Sequence, residues 1–180
     1  MNKNKILIKR ATAKDFHLLP DIETATAKLF KEFISDCVNL PPSPESYYHS
    51  LSEKSAVFIA YTDDNSVVGF IVVTTLDNQG HIAEVDVLPE YTRKGIGKNL
   101  INQAILWAKS NNYEWLTLTT FKNIPFNAPF YRKLGFIEFI PSENQPEIRE
   151  TIKHEQQILG EILKNHPRIA MRINVNSWEI

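Results

Sequence analysis

The chain has 180 residues, 43% of them hydrophobic and 23% charged, with a net charge of −1 at pH 7. That length suits one domain with a sizeable core, so residues 1–180 are read as a single domain. The balanced charge gives no global attraction to nucleic acid or anionic membrane, and a lone cysteine, Cys37, makes no internal disulfide and no metal site by itself.

The opening MNKNKILIKR offers only Ile6, Leu7 and Ile8 in a row before charge returns, which is no secretory signal. No stretch approaches the ~18 apolar residues of a spanning helix. The cytoplasm is the expected compartment. Residues 5–11 alternate as a first strand. Asp15 is placed to cap a helix over 16–33, with Pro20 dividing or opening it. The prolines of NLPPSPESYYHSL break structure, and Ser43 before Pro44 suggests a second helix through Leu51. Residues 56–61 and 67–75 read as buried strands joined by the turn TDDNS, a hairpin.

His81 to Leu88 continues the meander as a fourth strand, in which Glu84 and Asp86 alternate with Val85 and Val87. Pro89 has no amide for a ladder and ends it. Beyond, Ile96, Leu100, Ile101, Ala104, Ile105 and Ala108 form one apolar helical stripe. Residues 115–121 are a strand, NAPFYRKLGF a short helix stopped by Gly135, and 137–140 a further strand. A helix over 147–164 carries Ile148, Ile152, Leu159, Ile162 and Leu163 on one face, and RIAMRINV closes the chain as a strand. The expected fold is α/β (α+β), with a mixed, mostly antiparallel sheet of about seven strands and helices on both faces.

Gly95 and Gly97 sit where a loop becomes a helix N-terminus, with Arg93, Lys94 and Lys98 around them. Orphan amides, the helix dipole and missing side chains together make a diphosphate cradle there. Two familiar phosphate motifs are excluded. A dinucleotide fingerprint needs glycine where Leu100 stands, and a P-loop needs Ser or Thr where Asn99 stands.

The element order, LPEYTRKGIGKNLI after strand four and NAPFYRKLGF after strand five resemble the GNAT superfamily of acyl-CoA-dependent N-acyltransferases, from Lys5 to about Val175. The resemblance implies acetyl-CoA as co-substrate and no metal. Backbone amides from Arg93 through Lys94, Gly95, Ile96 and Gly97 to Lys98 would hold the pyrophosphate. The edge of strand four at Val85 and Val87 would pair with the pantetheine amides, with strands four and five splayed to admit it. Thr92 departs from the family's usual Gln or Arg. Asn127, ahead of Asn123, would hydrogen-bond the pantetheine or cap the short helix.

Tyr131 matches the tyrosine that many family members place near the CoA sulfur, where a phenol protonates the leaving thiolate. The base is open between Glu84, Asp86, His81 and water; Glu84 is preferred. The Val85 amide is the expected oxyanion donor. The region PPSPESYYHS and the segment between the last two strands would line the acceptor pocket. Within it Tyr47, Tyr48 and His49 are either a substrate-facing cluster or, the preferred reading, an amphipathic helix packed on its neighbour. Glu147, Arg149, Glu150, His154 and Glu155 form a solvated face on a helix that covers the acceptor site or makes a dimer contact, and Trp178 anchors the tail. The implied activity is direct acetyl transfer to a primary amine of a small molecule or protein, by a monomer or homodimer. Its rival is a non-catalytic acyl-CoA-binding module of the same fold.

Overall fold

The computed structural model describes residues 6–34 and 39–178, so Cys37 lies outside the described residues. The sheet is built from β1 (Leu7–Arg10), β2 (Ala56–Tyr61), β3 (Val67–Leu76), β4 (Gln79–Val87), β5 (Trp115–Phe121), β6 (Ile137–Phe139) and β7 (Arg168–Asn174). Its spatial order is β1-β2-β3-β4-β5-β7-β6. The helices are α1 (Leu19–Ala27), α2 (Glu45–Ser50), α3 (Ile96–Ser110), α4 (Ala128–Lys133), α5 (Pro146–Leu159) and α6 (Ile162–Asn165). The β4–β5 pair is parallel, whereas β1–β2, β2–β3, β5–β7 and β6–β7 are antiparallel. Among the described residues no helix is long and apolar enough to cross a membrane. Two compact units divide the chain: Met1–Thr74 with Ala83–Ala104, and Thr75–Ile82 with Ile105–Ile180.

In the first unit, β2 and β3 are almost continuously apolar and buried, as strands covered on both faces must be. Val57, Ile59, Phe70 and Val72 line one face and pack with Leu19 and Ile22 of α1 and Tyr48 of α2. Tyr48 meets Phe70 edge to face at 6.0 Å between ring centres. Gly69 allows a close approach: a Cβ there would lie 2.6 Å from the Asp86 carbonyl oxygen. Two expected caps are not made. Asp15 spends its carboxylate on the Thr12 amide and hydroxyl and on Tyr61, and Ser43 directs its amide and hydroxyl to Glu23. The helix expected over 16–33 is α1 flanked by short 3-10 turns, with Pro20 in its first turn, where a missing amide costs nothing.

In the second unit β5 pairs with β7 along its whole length, and β7 pairs with β6. The β4–β5 ladder registers Gly80, His81 and Ile82 against Leu116, Thr117 and Leu118, a short stretch of a nine-residue strand. Leu116, Leu118, Met171 and Ile173 supply its core with Ile148 of α5. The expected helix over 147–164 is interrupted: Gly160 takes φ +45, and the chain restarts as α6. A glycine in a positive-φ conformation ends a helix more cheaply than any other residue. Near the chain's end, Lys109 Nζ donates to the Trp178 main-chain carbonyl at 3.1 Å, while the Trp178 indole Nε1 is buried without a hydrogen-bond partner.

Candidate active site

The glycine loop lies in the first unit. A 3-10 turn, Pro89–Tyr91, follows β4, and the Thr92 hydroxyl closes it by donating to the Pro89 carbonyl at 2.8 Å. That contact accounts for Thr92 in the motif's first position. Arg93 takes φ +57 and Gly95 φ +84, and left-handed residues let successive amides face one concavity. A Cβ on Gly95 would meet nothing within 4 Å, so backbone conformation rather than crowding calls for glycine. Ile96, 1% exposed, fixes the start of α3 in the core, and Gly95 O accepts the Asn99 amide at 3.0 Å. The amides of Ile96, Gly97 and Lys98 therefore have no acceptor inside the helix. Arg93, Lys94 and Lys98 are exposed around them, with Lys94 Nζ 4.6 Å from the centre of the Tyr91 ring. Open amides under three cations suit a pyrophosphate.

Glu84 and Asp86 share one face of β4, and Val85 and Val87 are half-buried on the other. Asp86 is 6% exposed, and its Oδ2 has no hydrogen-bond partner. Burial pushes its carboxyl well above the ordinary value of 3.8, and the charges of Glu84 and Glu23 push further, against a weaker opposing bond from Thr26. α1 supplies Glu23 and Thr26, whose hydroxyl donates to Ile22 O at 2.9 Å and lies 3.5 Å from Val87 O. Glu23 Oε2 accepts from the Tyr48 hydroxyl at 3.2 Å and the Ser43 amide at 3.0 Å. Burial also raises the phenols of Tyr47 and Tyr48, reinforced by Glu84 and Glu23. His49 is exposed and pairs instead with Glu45 at 3.1 Å. Glu23 was missed from sequence because nothing in its pattern separates it from an ordinary helix-surface carboxylate.

NAPFYRKLGF, in the second unit, has a physical reason for its spacing. The Phe136 amide donates to Tyr131 O at 3.1 Å and the Gly135 amide to Arg132 O at 3.0 Å, with Gly135 at φ +88. That is a Schellman stop, and its apolar clasp is the Tyr131–Phe136 ring contact at 5.6 Å. Phe130 flanks Tyr131 on another side at 5.3 Å, leaving Tyr131 6% exposed. Asn127 opens α4 without a side-chain cap bond; its Oδ1 is buried and unpartnered, an acceptor ready for a ligand N–H. Asn123 is exposed.

His81 is 3% exposed, and its Nδ1 lies 2.9 Å from Thr117 Oγ1. Burial, helped by the Arg168 charge, lowers its pKa from 6.5 to about 4. Neither His81 nor Asp86 is a solvated surface group. Their effects on stability oppose each other. Asp86 holds its proton longer in the native state than in the unfolded chain, so its contribution falls as pH rises above 3.8 through the raised native pKa. Buried His81 refuses the proton that the unfolded chain accepts, so its contribution falls as pH drops from 6.5 to about 4. Urea melts across pH 3–8 should show Asp86→Asn more stable than wild type at neutral pH, with the difference vanishing below about pH 4. His81→Gln should flatten the acid limb.

The segment before β7 lines a cavity of about 230 Å³ with Thr119, Ile152, Glu155, Leu163 and Arg168. Arg168 and Glu155 pair across it at 2.9 Å, neutralising each other. It is smaller than the ~300–1,000 Å³ typical of ligand pockets.

A model of the acetyltransferase (GNAT) family matches residues 24–136. The chain belongs to that family. Over 86 residues it is 33% identical to streptothricin acetyltransferase A of Bacillus subtilis (strain 168), covering 47% of this chain and 49% of that protein. The match thus spans about half the length of that relative. Over 118 residues it is 31% identical to an N-alpha-acetyltransferase of Saccharolobus solfataricus, covering 55% of this chain and 70% of the relative. In fold, this GNAT chain superimposes with a TM-score of 0.67 and 21% identity on a Bacillus anthracis str. Ames acetyltransferase solved with acetyl coenzyme A, covering 94% and 99% of the two chains. The GNAT match takes in the β4 carboxylates, the loop and α4; Glu23 falls one residue outside it.

Proposed function

We propose that the protein is an N-acetyltransferase moving the acetyl group of acetyl-CoA directly to a primary amine in a ternary complex. The observation that carries this reading is the open, cation-flanked amide loop at the start of α3, in a chain of the GNAT family. The amides of residues 93–98 bind the pyrophosphate, and the buried Asn127 Oδ1 accepts an N–H of the pantetheine arm. The edge of β4 at Val85 and Val87 pairs with that arm, and the Val85 amide supports the developing oxyanion.

Transfer requires the ammonium of the acceptor to lose a proton before its nitrogen attacks the thioester carbon. Glu84 takes that proton, directly or through water, while Asp86 behind it keeps its own. Collapse of the tetrahedral adduct breaks the C–S bond, and Tyr131 protonates the departing sulfur. The nitrogen, still carrying one proton too many after attack, sheds it to solvent, from which the Tyr131 phenolate is reprotonated. The products are an N-acetylated amine and CoA. One curated relative is named for streptothricin and the other for N-alpha acetylation, which supports an amine as the acceptor group.

Calorimetric titration with acetyl-CoA tests the cofactor half of the proposal. Wild type should bind saturably, and Gly97→Glu should weaken binding by at least about 100-fold, because it brings a carboxylate into an anion site. No binding by folded wild type at millimolar ligand overturns it. The Schellman clasp gives Tyr131 a structural task, which favours a second reading, a non-catalytic acyl-CoA-binding module. Thiol release across an amine panel separates the two: binding without turnover belongs to the module.

A further inference from the structure

Asp86 sits among acceptors. Its carboxyl is buried, and Oδ2 is sealed from water without a hydrogen-bond partner. Thr26 of α1 has one hydroxyl proton, and its best-placed acceptor is Ile22 O at 2.9 Å, so its opposing bond to Asp86 is weak. The Glu84 side chain, on the same face of β4, is hydrogen-bonded to Asp86. Glu23 of α1 adds a further negative charge, and its own bonds go to the Tyr48 hydroxyl and to Ser43. Among the described residues no lysine or arginine lies within ion-pair distance of Asp86. Two ionised carboxylates accept only and cannot bond to each other. The bond between Asp86 and Glu84 therefore contains a proton that one of them keeps.

Burial decides which. Glu84 is half-buried, so water solvates its charge, whereas Asp86 is shut away from water. The charge settles on Glu84 and the proton on Asp86, whose orphan Oδ2 is then the carbonyl oxygen of a neutral acid. The titratable groups facing the pair from neighbouring elements are Glu23 on α1 and Tyr47 and Tyr48 on α2; both phenols are raised and stay neutral. β3 brings Gly69 to this point and carries no titratable side chain. A second negative charge would face both Glu84 and Glu23, so the pair carries one charge across neutral pH.

We propose that Asp86 is a positioning residue for the base: it donates its proton in a hydrogen bond to the Glu84 carboxylate and fixes that carboxylate in place, the two sharing one proton. The proposal rests on the acetyltransferase reading and adds the means by which its base is held. In transfer, Glu84 takes the ammonium proton on a free lone pair while the Asp86 O–H bond stays intact. Both carboxyls are then neutral, and Glu84 returns its proton to solvent. A hydrogen bond to a carboxylate favours the charged form, so Asp86 keeps Glu84 ionised, and able to act, down to lower pH.

The test reads the two carboxyls directly, by carbon NMR of the full chain labelled at its Asp and Glu carboxyl groups. At neutral pH one Asp carboxyl should show the shift of a protonated acid, and that signal should be absent in Asp86→Asn. The Glu84 signal, assigned by its loss in Glu84→Gln, should titrate about one pH unit higher in Asp86→Leu, which removes the donor. Asp86→Asn keeps an N–H donor and should move it less. The direction discriminates: were Asp86 ionised, either substitution would remove a like charge and move Glu84 to lower pH. A downward shift, no shift in folded Asp86→Leu, or an ionised Asp86 at neutral pH overturns the inference; Asp86→Ala takes the place of the leucine variant if that one does not fold. Thiol release from acetyl-CoA across the amine panel is read separately, and the acid limb of kcat/KM should move with Glu84. Release with an acid limb unmoved by Asp86→Leu keeps the transferase and discards the role of Asp86. The expected titrations without any thiol release keep the shared proton and discard the transferase.

Discussion

Tyr131→Phe is expected to lower kcat by about 10²- to 10⁴-fold, the usual contribution of a positioned acid, while acetyl-CoA affinity and melting temperature stay near wild type. The split between these readouts matters because the proposed mechanism gives Tyr131 a chemical task beside its structural one. Its ring closes the Schellman stop of α4 against Phe136, and phenylalanine keeps that ring. Its hydroxyl is all that the substitution removes, so a purely structural tyrosine would show a small fall in stability and no matching fall in kcat. Tyr131→Ala removes both tasks; it should cost about 3–5 kcal/mol of stability as well, the range for truncating a buried aromatic. A Tyr131→Phe enzyme with wild-type kcat would move the proton donor to water, and Glu84 would then be the first side chain to test by replacement with glutamine.

Most of the fold is legible in the residue pattern. The stripe Ile96, Leu100, Ile101, Ala104, Ile105 and Ala108 is buried in full, because an amphipathic period over four turns has one solution. The continuous apolar runs of β2 and β3 are buried strands for the same kind of reason. Elements read by a single residue fared less well. Asp15 and Ser43 look like helix caps, but each has competing partners brought by tertiary structure, Tyr61 in one case and Glu23 in the other. Gly160 sits inside an apolar period and breaks it, since periodicity carries no information on φ.

The site divides along the same line. The loop and the α4 motif are local in sequence, so their glycines and tyrosine are visible there. The environment of Asp86 is not local. Period-two alternation gives Glu84 and Asp86 the same face and hence the same expected exposure, yet Asp86 is buried and Glu84 half-buried, because α1 brings Thr26 and Glu23 to that end of β4. Glu23 itself lies about sixty residues away in the chain, roughly one sheet-length of sequence that no short motif bridges.

Gly69→Ala should be among the most damaging single-methyl additions in this protein. The new Cβ would fall 2.6 Å from the Asp86 carbonyl oxygen and 3.2 Å from Val87 Cα, both backbone atoms that cannot rotate aside. Overpacking of a tight site costs about 1–3 kcal/mol, and the upper end applies where the obstacle is main chain. For a chain of this size each kcal/mol lowers the melting temperature by about 2–4 °C, so a drop of roughly 6–12 °C is expected in a thermal melt. The same displacement has a second consequence. The obstructing atom belongs to the residue whose carboxyl sits behind Glu84, so β3 can accept the methyl only by moving the carboxylate pair. Activity of the folded variant should therefore fall further than that of a control with equal destabilisation elsewhere, for example Gly160→Ala, which strains a φ of +45 where α5 ends and meets nothing within 4 Å. Equal losses in the two variants, after matching for fraction folded, would detach the Glu84–Asp86 pair from the chemistry.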